Sequence, residues 1–306
     1  MSSEPKFHHY LPSFHQSRWA GADGRVLRYR KVYGGRIHRK RVYPTESGGD
    51  EYLYSDPSKP PAEAQWVERT FMSPLDSRAH DALTMLENQD PRINHEARAR
   101  SDWSRFLMSL MMRMPDDLAT LRESLQEEWI HEIPQLEKAF QEKKESSDPA
   151  TFAEYWEKQG DKDFVAWAIA LAPTLIDHGL IGDKLNNMRW FIREISGDAE
   201  FLTSDRPLIS HYDLHRPDTF IILPIGPKRA FVAVNNVQCQ KAIEAHDGEY
   251  FVNWLNRLVV GAAKEFVFAQ DNRHRELVER HFGDRPRTTL FEYLARFRRR
   301  RRQEVA

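Results

Sequence analysis

The chain has 306 residues, of which 40% are hydrophobic and 30% are charged, and its formal net charge is −1. This composition is typical of a folded globular protein and excludes a disordered chain. The single cysteine, Cys239, excludes an internal disulfide, and we expect a protein of the reducing cytoplasm. We expect no membrane partner, because no apolar run approaches the roughly 20 residues that span a bilayer.

The two ends of the chain are basic. Residues 1–47 carry ten Lys/Arg against three Asp/Glu, and residues 285–306 carry eight Arg against two Glu. Such ends suit an anionic partner, so we predict nucleic-acid contacts at residues 25–41 and 296–302. The alternative is that these cations point in different directions and contact only water. A protein partner or a homo-oligomer is the other class of partner that we consider.

The first 55 residues combine a histidine motif with a predicted β-hairpin. Two adjacent histidines, His8 and His9, precede Tyr10, and histidine titrates near neutral pH and binds metals. Alternation over residues 24–31 and 36–43, with a Tyr-Gly-Gly turn between them, predicts two strands. A short third strand is expected over residues 51–55.

Residues 62–195 form the predicted helical middle of the chain. Apolar residues recur at helical spacing from Trp66 to Leu75 and from Trp103 to Leu110, and a longer helix is predicted over 116–144. The apolar segment 164–180 predicts a buried helix. Its length and its internal proline argue against a membrane span.

Strand patterns return after residue 200. Strands are predicted over 201–203, 219–223 and 230–234, and helices over 250–269 and 290–302. The predicted class is therefore α+β, helix-rich, with an antiparallel sheet built from N-terminal and C-terminal segments. We expect a single domain over 1–306, comprising the N-terminal motif and basic hairpin (1–55), the helical middle (62–195), and the later strands and helices (200–300).

Candidate catalytic residues come from separate segments. Of the two histidines we favour His9 as a general base, general acid or metal ligand, because Tyr10 and the following proline constrain its surroundings. Glu68 and Asp205 supply carboxylates that would hold a divalent metal such as Mg²⁺ or Mn²⁺, or orient the imidazole. The alternatives are a structural histidine and an Asx or ST turn at Ser204-Asp205.

Further polar residues are candidates for substrate binding. Arg113 or Arg206 would stabilise charge on a phosphoryl group, and Tyr10 would position the substrate. Ser204 stands beside Asp205 at a predicted strand end, where reactive side chains are common. The alternative for Arg113 is to cap the carbonyl groups of a helix end, and the alternative for residues 298–302 is a solvated tail.

An ordered set of short motifs runs along nearly the whole chain: His8-His9-Tyr10-Leu11-Pro12 with Phe14, Val67-Glu68, Asp76, Trp103 with Phe106, Arg113 with Pro115, Phe201 with Thr203-Ser204-Asp205 and Pro207, Leu223-Pro224 with Pro227, and Asn256. In this order they resemble the bacterial domain-of-unknown-function family numbered 4238. Ser13-Phe14-His15 departs from the usual Gln-Phe of the family. The resemblance implies one domain and a shared pocket for His9, Tyr10, Glu68, Arg113, Ser204 and Asp205, and it adds Asn256 as a substrate-binding candidate.

Two functions are expected, and they belong to different classes. The first is hydrolysis of a phosphodiester by a nuclease-like enzyme in a bacterial defence or toxin-like setting. The second is a non-catalytic module that binds nucleic acid or protein through its basic ends and uses the histidine motif as a structural clasp. Hydrolysis or transfer on a small molecule or sugar would need two facing carboxylates, and the sequence does not identify such a pair.

Overall fold

The computed structural model describes residues 6–159, 162–210 and 213–305. The helices of this part of the chain are α1 Ser13–Gln16, α2 Pro61–Ala64, α3 Ser73–Glu87, α4 Arg92–His95, α5 Ala97–Leu110, α6 Pro115–Lys143, α7 Phe152–Gln159, α8 Lys162–Ile176, α9 Gly179–Asn187, α10 Val237–Ala245, α11 Gly248–Ala262, α12 Arg275–His281 and α13 Leu290–Val305. The strands are β1 Phe7–His9, β2 Val26–Lys31, β3 Ile37–Val42, β4 Gly49–Glu51, β5 Arg189–Glu194, β6 Thr203–Ser204, β7 Ile209–Ser210, β8 Phe220–Gly226, β9 Arg229–Val234 and β10 Phe266–Ala269. All the described strand pairs are antiparallel, which confirms the helix-rich α+β class.

One four-stranded sheet joins the two ends of the chain, as the sequence predicted. Its strand order is β3-β2-β10-β6, so the N-terminal hairpin pairs with a strand that lies more than two hundred residues later. Strand β10 occupies an interior position, with β2 on one side and β6 on the other. The hairpin is therefore held to the body of the protein by β10.

A second four-stranded sheet, with the order β5-β9-β8-β7, lies between two helices. Alternate residues of β8 face opposite sides: Leu223 belongs to the apolar cluster that contains Trp103 of α5, and Ile222 to the one that contains Phe251 of α11. The larger cluster collects buried residues from Tyr10 to Phe291. All three predicted parts of the chain contribute to this core, and the single domain over 1–306 stays a prediction.

Three expected elements are corrected by the structure. The helix predicted over 250–269 ends at Ala262, and Phe266–Ala269 forms β10, because its aromatic and β-branched residues pair between two strands. The end of the predicted helical middle is β5, which pairs with β9. The predicted third strand lies at Gly49–Glu51 and pairs with β1 rather than with the hairpin.

The apolar segment after Phe164 is less buried than the sequence predicted. One stripe of α8 is buried, comprising Phe164, Ala168, Ile169, Ala172 and Ile176. The 24 residues of Phe164–Asn187 are long and apolar enough to cross a membrane, and 33% of their most apolar part is buried. Core helices of soluble proteins can have the same length and composition. The structure separates this stretch into α8 and α9.

Buried hydrogen bonds fasten the N-terminal segment to strand β8 of the second sheet and to the residues just before β6. The Trp19 indole N–H donates to the carbonyl of Phe201 over 2.7 Å, and His15 Nε2 lies 2.8 Å from the carbonyl oxygen of Pro224. Gly48 has a positive φ, and a Cβ there would lie 2.6 Å from Gln16 Nε2, so this position requires glycine.

Burial makes His15 a source of acid sensitivity. The ring is fully buried, and burial lowers its pKa from 6.5 to about 4, although the Pro224 carbonyl opposes this shift. Because the folded-state pKa is lowered, the unfolded chain binds the proton more readily between these two pH values. The free energy of unfolding should therefore fall as the pH falls through this window, by about 3 kcal/mol from this residue.

The variant His15→Gln tests this origin by urea unfolding at a series of pH values, because glutamine donates a similar hydrogen bond without a titration. We expect this variant to lack about 3 kcal/mol of the acid-dependent loss seen in the wild type. The matched control is His178→Gln, at an exposed histidine, which should keep the wild-type dependence. If the free energy of unfolding depends on pH equally in the wild type and in His15→Gln, His15 is not the source of the acid sensitivity.

Candidate functional site

The residues singled out from the sequence lie in two polar clusters. We call the first the Arg113 cluster; it contains His8, His9, Tyr54, Glu68, Asp76 and Arg113. We call the second the Asp205 cluster; it contains Asp116, Asp117, Ser204, Asp205, Arg206 and the backbone of residues 264–266. The link between Arg113 and the start of α6, which holds Asp116 and Asp117, places the clusters next to each other along the chain.

His8, rather than the favoured His9, is the more enclosed of the two histidines. Strand β1 alternates, so His8 is fully buried while His9 is partly exposed. The Tyr54 backbone N–H donates to His8 Nδ1 over 3.0 Å, and the Tyr54 hydroxyl donates to the carbonyl of Arg113. The sequence contained a reason to prefer His8, because the motif spacing His-x-Tyr-x-Pro, which ends at Pro12, begins at His8.

His9 retains the chemical features of a base. Burial lowers its pKa, the backbone at Thr45 and Pro44 offsets part of this shift by hydrogen bonding, and the Arg113 charge adds to the lowering. Its Nε2 atom is buried and has no hydrogen-bond partner among the described residues. Burial thus favours the neutral imidazole of His9, and its buried Nε2 is left without a hydrogen-bond partner in the described part of the chain.

Arg113 is fully buried and is paired with Asp76. Both terminal nitrogens, Nη1 and Nη2, donate to Asp76 Oδ1, over 2.9 and 3.0 Å. Burial raises the pKa of Asp76 to about 6, against the opposing charge of Arg113. This arrangement replaces the predicted capping of helix carbonyls, and Arg113 Nε lacks a partner among the described residues.

Glu68 approaches the same guanidinium from a distorted helical turn. Residues Glu68–Met72 form a π-helical turn before α3, a distortion that is frequent at functional sites. The carboxylate oxygen Oε1 accepts a hydrogen bond from Ser73, while Oε2 is buried without a partner in the described part of the chain. The charge of Glu68 acts on Arg113, so these two predicted residues are neighbours.

Asp205 is saturated by backbone amides. Its oxygens accept hydrogen bonds from the N–H groups of Lys264, Glu265 and Phe266, over 2.9, 2.5 and 2.8 Å. Burial raises the pKa of Asp205 to about 6, and these three hydrogen bonds oppose that shift. The carboxylate thus fixes the turn between α11 and β10, so the alternative of an Asx turn at Asp205 is wrong. The alternative of an ST turn is confirmed, because the Arg206 backbone N–H donates to the Ser204 hydroxyl over 3.1 Å.

The neighbours of Asp205 also have partners. The Ser204 hydroxyl donates to the carbonyl of Val259 and accepts from the backbone N–H of Arg206. Arg206 donates to Asp117 at the start of α6 over 3.0 Å. Asn256 joins two backbone groups, accepting from the N–H of Leu202 and donating to the carbonyl of Glu200. These contacts tie strand β6 to α6 and α11.

The predicted metal ligands do not converge on one point. Within the described ranges, no three His, Cys, Asp or Glu side chains form a group that could hold a metal ion. His9 and Glu68 both lie near Arg113, whereas Asp205 belongs to the second cluster. Tyr10 is buried between the two, and burial together with the charge of Asp205 raises its pKa. Catalytic and binding roles for these residues stay predictions.

The basic hairpin, residues 25–41, is the most highly charged exposed surface that the sequence singled out. It carries eight Lys/Arg and no Asp/Glu. Arg30 pairs with Glu265 and Arg41 pairs with Asp23. Five exposed cations have no carboxylate partner among the described residues: Arg25, Lys31, Arg36, Arg39 and Lys40. At the tip, the side chain of Tyr33 is 99% exposed.

The C-terminal arginines are partly neutralised. Arg298 lies 3.8 Å from Glu128, and Arg299 lies 2.5 Å from Glu127, both on α6. For Arg298 and Arg299 these pairs correct the alternative of a frayed, solvated tail, because α13 packs along α6. The side chains of Arg301 and Arg302, which belong to the predicted contact 296–302, lie outside the described residues.

Comparison with known proteins agrees with the resemblance seen in the sequence. Residues 8–273 match the model of a family described as "Protein of unknown function (DUF4238)". No curated protein and no solved structure matches the chain. The match covers most of the chain, including both polar clusters and the basic hairpin, and the protein therefore belongs to the DUF4238 family.

Proposed function

We propose that this protein binds nucleic acid through the basic hairpin. The observation that carries the proposal is the set of five exposed cations without carboxylate partners, placed beside a fully exposed tyrosine at the tip. Such cations contact phosphates and release counterions, which supplies most of the affinity of non-specific binding. The C-terminal arginines are the weaker candidate, because Arg298 and Arg299 already face glutamates.

The exposed tyrosine favours a single strand over a duplex. Tyr33 is followed by Gly34 and Gly35, and a Cβ built at either glycine would meet nothing within 4 Å, so the tip is open to an approaching base. Stacking of a base on an aromatic ring contributes about 1–3 kcal/mol and tolerates any sequence. A basic strand beside an exposed ring is thus suited to single-stranded DNA or RNA.

The cations have a competing structural explanation. Strand β3 is an edge strand, and proteins place charged residues on edge strands to prevent pairing with other chains. This explanation accounts for Arg39 and Lys40 but not for Tyr33, because an exposed aromatic side chain makes an edge more adhesive. The proposal therefore depends on the cations and the tyrosine acting together.

Removal of two unpaired cations tests the proposal. We expect Arg36→Gln/Lys40→Gln to bind a fluorescent single-stranded oligonucleotide about tenfold more weakly at 0.1 M salt, because each lost phosphate contact removes counterion release. The slope of log affinity against log salt should fall by about 1.4. Fluorescence anisotropy over a salt series measures both quantities.

The matched control removes the same charge at the other end of the chain. Arg298→Gln/Arg299→Gln should bind within about twofold of the wild type. If the control variant loses more affinity than the hairpin variant, the interface lies on α13 instead. If the wild type does not bind the oligonucleotide, the proposal is refuted. The variant Tyr33→Ala should weaken single-strand binding while leaving duplex binding unchanged.

Hydrolysis of a phosphodiester is a second candidate function, and one observation favours it. His9 Nε2, Glu68 Oε2 and Arg113 Nε are all buried and lack partners among the described residues. Unsatisfied buried polar atoms in one neighbourhood are uncommon, and a reacting group is one of the explanations for them. Glu68 also opens a π-helical turn.

In this proposal His9 acts as the general base. Its free Nε2 takes a proton from water, the water oxygen forms a new bond to phosphorus, and the ester P–O bond breaks. The leaving oxygen takes a proton from solvent. Arg113 or Arg206 would stabilise the charge that develops on the phosphoryl oxygens, and Tyr10, Ser204 and Asn256 remain proposed substrate contacts.

The variant His9→Gln tests the catalytic proposal. We expect this variant to cleave single-stranded DNA or RNA at least about a hundredfold more slowly, the usual contribution of a general base. Gel electrophoresis of reactions that contain Mg²⁺ or Mn²⁺ measures the rate. The matched control, His95→Gln, changes an exposed histidine and should cleave at the wild-type rate. Full activity of His9→Gln, or no cleavage by the wild type across the metals, would reject the hydrolysis proposal and leave the binding proposal intact.

The remaining expectations also stay proposals. A divalent metal would rely on Glu68, whose Oε2 has no partner among the described residues, together with substrate phosphates, the arrangement in which Mg²⁺ keeps several of its waters. Asp205 is the weaker candidate, because its oxygens already accept three amide hydrogen bonds. The bacterial defence or toxin-like setting, the cytoplasmic location, and a protein partner or homo-oligomer are likewise predictions.

A further inference from the structure

A small cavity opens at the far side of the second sheet, outside both polar clusters and the basic hairpin. Its volume is about 220 Å³, and it is lined by β8, the C-terminal end of α10 and the first turns of α11. We propose that this cavity binds a small planar aromatic molecule that carries a polar group on its edge. The proposal rests on the residues of this cavity and not on the basic hairpin or the two polar clusters.

The floor and walls of the cavity are apolar. Ile222 of β8 and Phe251 of α11 are buried and form part of the second apolar cluster. Phe220 and Trp254 form an edge-to-face pair with ring centroids 6.0 Å apart. Trp254 also stacks against Phe251 at 5.7 Å. A planar ligand ring would continue these edge-to-face and stacked contacts, which aromatic pairs prefer.

The rim of the cavity is polar. His246 and Tyr250 stand at the opening with ring centroids 5.3 Å apart, and both side chains are exposed. Neither these two side chains nor the Trp254 indole N–H forms a hydrogen bond with another described residue. The rim therefore offers a phenol, an imidazole and an indole to the edge of a ligand. Apolar walls with a few polar groups are typical of small-molecule sites.

The volume sets the size of the ligand. An apolar cavity of about 150 Å³ is enough to hold benzene. A cavity of about 220 Å³ therefore accommodates one substituted ring or a compact bicyclic ring system. Within the described part of the chain, no carboxylate, lysine or arginine lines it, so a strongly charged ligand is disfavoured. The same chemistry is found in a free phenol-like molecule and in a base of a nucleic acid.

Titration of the full-length, ¹⁵N-labelled protein with p-cresol, and separately with adenine, tests the proposal. The reporter is the indole N–H signal of Trp254, which is assigned by its loss in Trp254→Phe. We expect at least one of the two probes to cause a saturable shift of this signal. The variant Tyr250→Ala, which changes an exposed rim residue, should weaken binding by about threefold to tenfold through loss of an aromatic contact.

The variant Ile243→Trp places an indole into the cavity from α10 and should abolish the shift, while Tyr33→Ala at the hairpin tip should leave it unchanged. A short single-stranded DNA distinguishes the sources: displacement of the bound probe identifies a nucleic-acid base as the ligand, and no displacement identifies a free small molecule. The proposal is overturned if neither probe gives a saturable shift, or if both Ile243→Trp and Tyr250→Ala respond as the wild type does.

Discussion

The Asp205 carboxylate and its three backbone amide donors are the interaction on which the arrangement of this fold depends. The carboxylate holds the N–H groups of residues 264–266 at the point where α11 ends and β10 begins. Strand β10 in turn carries the N-terminal hairpin on one edge and β6 on the other. One buried side chain therefore helps to hold the start of the strand to which the basic hairpin is attached.

The other motif residues extend this framework. Arg206 connects Asp205 to Asp117 at the start of α6, and Arg113, just before α6, binds Asp76 on α3. Most of these groups are hydrogen-bonded to one another or to the backbone, so the residues that carry the family resemblance connect separate segments of the fold. Among the described residues, His9, Glu68 and Arg113 itself each keep a buried polar atom without a partner, so we expect any chemistry there.

The sequence predicts elements whose signals are local. The hairpin was predictable because two segments of alternating apolar and polar residues flank a Gly-Gly turn. Helix α6 was predictable because Pro115 and two aspartates mark its start. Strand β10 was not predictable, because its apolar residues follow a helix and its conformation is fixed by Asp205, some sixty residues away. The pairing of Arg113 with Asp76 and the saturation of Asp205 are tertiary contacts, which local patterns do not encode.

The most direct test of this account is the free energy of unfolding of Asp205→Ala, measured by urea denaturation. The account predicts a loss of at least about 3 kcal/mol, because three amide donors would be left buried without their charged acceptor. A loss below about 0.5 kcal/mol would contradict a structural role and return Asp205 to the list of residues available for catalysis.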